Sequence, residues 1–157
     1  RLAEALLDAG DRAEALRHYE EAAQGPFSGD LKVMQGLAAA QLENGQAELG
    51  LATLERLFAE RAEARRHPRI ALICARALAE AGREGAREAF EIALEVGTDA
   101  EPKCRFADWL TSQSNEADLA RAQGLYRQIV QDSRHWHRHA KAHNAEWLRR
   151  AQAALSR

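Results

Sequence analysis

Histidine offers the most chemistry in this sequence, and it is concentrated near the C-terminus as Arg134-His135-Trp136-His137-Arg138-His139, continuing to His143. On one helix, His135, His139 and His143 would fall at i, i+4 and i+8, a spacing that can turn imidazoles to one side for Zn²⁺ or Ni²⁺. Arg134, Arg138 and Lys141 crowd the stretch with positive charge, and no Asp or Glu there supplies a ligand or orients a ring. A resident metal wants three or four ligands, so these histidines are weak candidates. The expectation is no metal and no cofactor, with His143 half-buried and the others solvated. Cys74 and Cys104 form no C-x-x-C pair and are too few for a disulfide framework, so both are expected as reduced, partly buried thiols. Phosphate-loop, dinucleotide, zinc-protease and nucleophile-elbow motifs are all missing from the sequence. Acidic pairs such as Glu20-Glu21 fit solvent-facing positions on helices. A non-catalytic protein is expected.

Charge is unevenly spread. From residue 133 onward, six cations (Arg134, Arg138, Lys141, Arg149, Arg150 and Arg157) stand against Glu146 alone, giving +5. That leaves −7 on the first 132 residues of a chain whose total is −2. A basic helix carrying tryptophan could touch nucleic acid or anionic lipid, which is the alternative functional reading. A total so near neutral predicts no global attraction to polyanions, so nucleic acid is not the expected partner. Arg61, Arg65, Arg66 and Arg69, interrupted by Glu63, make a second basic cluster expected to be solvated.

The elements that must position these residues are helices. Of 157 residues, 34 are alanine, whereas Val, Ile and Thr together number 10. That balance favours helix strongly over sheet. A chain of this length buries roughly 70% of its unfolded surface, enough for a real core. No run approaches a membrane-spanning length of about 18 apolar residues. The chain begins at Arg1 without methionine and in a helix-like stretch, as a fragment would.

Self-similarity is the strongest signal. A small-residue column reads Ala15, Gly50, Ala86 and Ala122, and four residues on come Tyr19, Leu54, Phe90 and Tyr126. Three further on are Ala22, Leu57, Ala93 and Ile129. Earlier in each unit stand Ala3, Ala38, Ala75 and Ala107, preceded by Leu2, Leu37, Cys74 and Phe106. The physical unit is a pair of antiparallel helices, in which facing small residues allow axes about 8–10 Å apart and the large residue fills the next turn. One pair cannot bury its apolar face alone, so the next must stack on it. Turn signals fall within the pairs at Gly10-Asp11, Asn44-Gly45, Gly82-Arg83 and Ser114-Asn115. Between pairs lie Gly25-Pro26, His67-Pro68 and Glu101-Pro102, where proline suits the first turn of a helix.

These columns resemble the tetratricopeptide repeat family. The stretch Gly10-Asp11-Arg12-Ala13-Glu14-Ala15-Leu16-Arg17-His18-Tyr19-Glu20-Glu21-Ala22 is similar to its glycine, alanine, aromatic, alanine spacing. The resemblance covers roughly residues 1–132, with departures at Gln41-Leu42 and in the placement of the prolines. It implies an all-α, right-handed α-solenoid of stacked antiparallel helix pairs, a single domain over 1–157 with repeats at about 1–28, 30–66, 68–98 and 100–132. Helices are expected at 1–9, 12–24, 30–44, 47–64, 69–81, 84–96, 101–113 and 117–132, followed by a capping helix at 136–155. The cap would bury Trp136, Ala140, His143, Trp147, Leu148 and Ala151, with Trp109 opposite.

The resemblance further implies a protein-interaction scaffold that holds a peptide or helix of a partner in a concave groove lined by the first helices. Family groove positions fall on Glu4, Leu7 and Asp8, then on Lys32, Gln35, Ala39, Leu42 and Glu43. They continue through Arg69, Leu72, Arg76 and Glu80 to Cys104, Arg105, Asp108 and Thr111. Arg76 and Arg105 are expected to meet acidic groups, and Leu42 and Leu72 apolar ones. Gln35 and Ala39, or Leu72 and Arg76, stand where the family's carboxylate clamp has lysine and asparagine, so that clamp is not expected. The arrangement is also similar to bacterial repeat domains that follow a membrane-associated segment. A cytoplasmic protein is expected, with membrane contact only through a segment preceding Arg1. It should be a monomer, or a dimer through an apolar edge around Leu2, Leu6 and Leu7.

Overall fold

Alanine and leucine spaced along most of the chain leave the backbone little choice, and the computed structural model describes helix after helix. It describes the backbone of residues 2–157 and the side chains of residues 10–157. Among them lie nine α-helices and no strand: α1 Leu2–Gln24, α2 Leu31–Glu43, α3 Ala47–Glu60, α4 Pro68–Glu80, α5 Ala86–Val96, α6 Ala100–Ser112, α7 Glu116–Ser133, α8 Arg138–His143 and α9 Ala145–Leu155. The chain divides into two compact units, Arg1–Val96 and Gly97–Arg157.

In the first unit α2 pairs with α3 and α4 with α5, while α1 lies against α2 and α3 against α4. The repeat columns explain this packing. Ala38 and Ala75 are fully buried, as are Leu54, Leu57, Phe90 and Ala93 to within a few per cent. A Cβ on Gly50 would sit 3.3 Å from the Ala38 carbonyl, so the small column lets α3 press directly on the α2 backbone. Gly45 (φ 74°) and Gly82 (φ 65°) close the two hairpins in the left-handed region that glycine tolerates. Pro68 opens α4 where a missing N–H costs nothing. Asp30 caps α2 by accepting from the Lys32 and Val33 amides at 2.9 and 3.2 Å.

The second unit pairs α6 with α7, and α9 lies against both. Phe106, Ala107, Leu110, Ile129 and Ala151 are fully buried. Asn115 caps α7 by accepting from the Asp118 amide at 2.9 Å, while its own amide group donates to the Asp118 carboxylate.

Three expectations need correction. The hairpin at Gly10-Asp11 does not form, and α1 runs unbroken through it. Gly10 does not adopt a positive φ, and strong helix formers on both sides outweigh its cost of about 1 kcal/mol. The α-helix expected to reach residue 64 stops at Glu60, and Ala62–Arg66 forms a short 3₁₀ turn instead. The single capping helix is broken at Asn144, which is buried, so α8 and α9 replace it. The other five expected helices lie within two residues of those observed. The apolar edge around Leu2, Leu6 and Leu7, and the groove positions Glu4, Leu7 and Asp8, lie outside the residues whose side chains are described.

Candidate functional site

The first unit carries an open pocket of about 270 Å³ between α1, α2 and α4. Its floor is made of small residues: Ala15 from α1, with Gly36, Ala39 and Ala40 from α2. Tyr19 forms a wall, its ring lying so close over Gly36 that any Cβ there would overlap it. Gln35, Glu43, Asn44, Arg12 and Arg69 supply the polar rim. The Asn44 amide donates to the Arg12 carbonyl at 3.0 Å and to that of Ala40 at 2.7 Å, tying the end of α2 to α1. Glu43 is matched by Arg76 of α4 at 3.0 Å. With that carboxylate matched, the exposed Arg69, which makes no ion pair among the described residues, tips the rim toward positive charge.

Four expected groove positions, Gln35, Ala39, Glu43 and Arg69, therefore meet at one pocket, and Arg76 borders it through Glu43. Lys32 is exposed on the first turn of α2, and Leu72 is half-buried on α4; neither lines the pocket. Leu42 is only 3% exposed and belongs to the core with Met34, Leu51 and Ile73, so no partner can reach it. Its neighbour Gln41 is buried too, accepting at 2.7 Å from the Thr53 hydroxyl across the α2–α3 contact. The repeat columns assign Tyr19 to packing between helices and Asn44 to a turn, not to a site. Glycine in mid-helix at position 36 was the available signal, since it marks a close approach.

In the second unit, Arg105 and Asp108 are engaged with neighbours. Arg105 is 3.2 Å from Glu101, and its guanidinium lies 4.8 Å from the Trp147 ring centroid. Arg150 lies 4.9 Å from the same centroid and reaches Asp108 at 2.7 Å. Asp108 also accepts from the Tyr126 hydroxyl. Burial first, then that hydrogen bond to a carboxylate, push the Tyr126 hydroxyl above the ordinary phenol range. Cys104 is fully buried, and burial pushes its thiol up to about 12, whereas Cys74 is half-buried with a thiol also raised chiefly by burial. These thiols are poor nucleophiles.

The histidines do not share a helix. His135 follows α7, whereas His139 and His143 belong to α8. His143 is exposed rather than half-buried, and its Nε2 lies 3.3 Å from the Asp99 carboxylate, a partner from outside the basic segment. No cluster of three or more metal-ligating side chains occurs among the described residues. Nor does any helix among them have the length and apolar character to cross a membrane.

No family model, curated protein or solved structure matches this chain. Its functional reading rests on its own residues.

Proposed function

We propose that the chain is a non-catalytic, bacterial-type tetratricopeptide-like solenoid that binds a peptide or helix of a partner protein at the α1–α2–α4 pocket. One observation carries the reading: groove positions separated by more than thirty residues in sequence, Gln35 and Arg69 among them, line the same open pocket. A floor of small side chains admits a guest side chain, and the rim offers amide and guanidinium groups to orient it. The Arg69 guanidinium favours an acidic residue in the partner, while half-buried Leu72 on the same helix offers an apolar contact. The alternative, an anionic surface read by a basic C-terminal helix, is weakened by the break at Asn144 and by the engagement of Arg150 with Asp108.

The test uses the partner identified by crosslinking through a photoreactive residue at position 35. Arg69→Glu and Leu72→Asp are each expected to weaken it about ten-fold, or roughly 1.4 kcal/mol. An affinity indifferent to both changes would overturn the assignment.

A further inference from the structure

A second cavity of about 270 Å³ lies elsewhere in the first unit, where the end of α3, the 3₁₀ turn, α4 and α5 meet. Phe58, Ala71, Leu78 and Ile92 make it chiefly apolar, and the half-buried Cys74 opens onto it. Gly85, at φ 92°, adds bare backbone to the lining. The volume falls just below the roughly 300–1,000 Å³ range of ligand sites, so a guest must be small.

The charged groups at the cavity are not equivalent. Arg65 lies with its guanidinium 4.5 Å from the Phe58 ring centroid, an arrangement that holds the planar fork in place. It makes no ion pair among the described residues, unlike Arg66 beside it, which meets Glu95 at 2.9 Å. Glu88, the acidic lining residue, stands in the first turn of α5, where the helix amides already favour a negative charge. At the Cys74 thiol, Arg65 and the exposed Glu55 act in opposite directions. Among the lining residues the one cation is Arg65, preset by its place over Phe58 to meet a planar anion.

We propose that this trough binds a small apolar carboxylate, its hydrocarbon body against Phe58, Leu78 and Ile92 and its carboxylate on the preset Arg65 guanidinium. The site is separate from the α1–α2–α4 pocket, and the inference does not depend on the partner reading. Cys74 reports occupancy, because a bound chain covers its thiol, while the fully buried Cys104 stays silent.

The probes are octanoate, octylammonium and 1-octanol, added to the full chain while Cys74 is alkylated with iodoacetamide. Octanoate is expected to slow alkylation at concentrations about five- to ten-fold lower than 1-octanol, the ratio that one charge-assisted contact provides. Octylammonium is expected to protect no better than 1-octanol. Arg65→Gln, a change at an exposed side chain, should erase the advantage of octanoate and leave 1-octanol unaffected. Ala89→Phe, which fills the trough, should abolish octanoate line-broadening in proton spectra. Should that variant fail to fold, the Arg65→Gln comparison still decides. Equal protection by all three probes, stronger protection by octylammonium, no protection by octanoate, or an unchanged octanoate response in Arg65→Gln would each overturn the proposal.

Discussion

Gln41 and Thr53 hold a buried side-chain hydrogen bond of 2.7 Å between α2 and α3, surrounded by leucines. Removing one partner leaves the other desolvated and unsatisfied, so Thr53→Val is expected to cost about 1–3 kcal/mol despite its similar shape. Urea denaturation of the full chain measures this as a lower midpoint for the first unit. Cys104 gives a pH-dependent counterpart. Burial raises its thiol from an ordinary 9.0 to about 12, with Asp108 and Glu146 adding to the rise and Arg105 and Arg150 opposing it. The folded state therefore holds this proton more tightly than the unfolded chain does. The stability it contributes is complete below about pH 9 and is lost as pH rises toward about 12, by at most about 1.4 kcal/mol per pH unit. Denaturation at pH 8, 9 and 10 should show a falling stability whose slope is smaller in Cys104→Ala, with the raised Cys74 thiol keeping part of it, whatever cavity penalty that change adds at every pH. Neither pairing was legible in the sequence. A polar residue next to Leu42 showed as a departure from the repeat, but its partner depends on the register of two helices.

At the scale of elements, the sequence marks turns well where glycine is conformationally required and poorly where it is merely present. Gly45 and Gly82 adopt positive φ and end helices; Gly10 does not, and α1 continues through it. A Cβ on Gly10 would meet no atom within 4 Å. Gly10→Ala is therefore expected to stabilise α1 by about 1 kcal/mol, visible as greater helicity by circular dichroism and a higher Tm. A chain that bent at this point would lose stability instead. The break at Asn144 was missed for a related reason. Alanine and tryptophan spacing ran across it, and only the preference of asparagine for helix boundaries argued otherwise. The Asn144 side-chain Oδ1 accepts from the Ala100 amide at 3.0 Å, a contact that exists only once α8, α9 and α6 are assembled.

For the molecule as a whole, the helical class and the pairing of neighbouring helices were readable from alanine content and from columns repeated about every 36 residues. From the second copy on, the columns succeed because each marks a close approach between helices; the first copy, at Ala15 and Tyr19, implied a hairpin that the unbroken α1 does not make. The candidate sites were less legible, because a site needs side chains from separate pairs. The family resemblance placed Arg69 and Gln35 in one groove, but Leu42 turned inward, and the cavity beside Arg65 had no sequence signature beyond a run of arginines. The Asn144 contact bears on how the chain is made. Asp99, next to α6, leaves its first amides uncapped by a side chain, and the residue that satisfies Ala100 lies 44 positions later. At roughly 5–20 residues per second, a ribosome needs several seconds between these two points. During that interval the nascent α6 has no lock for its first turn, so the second unit is completed only after Asn144 has been made.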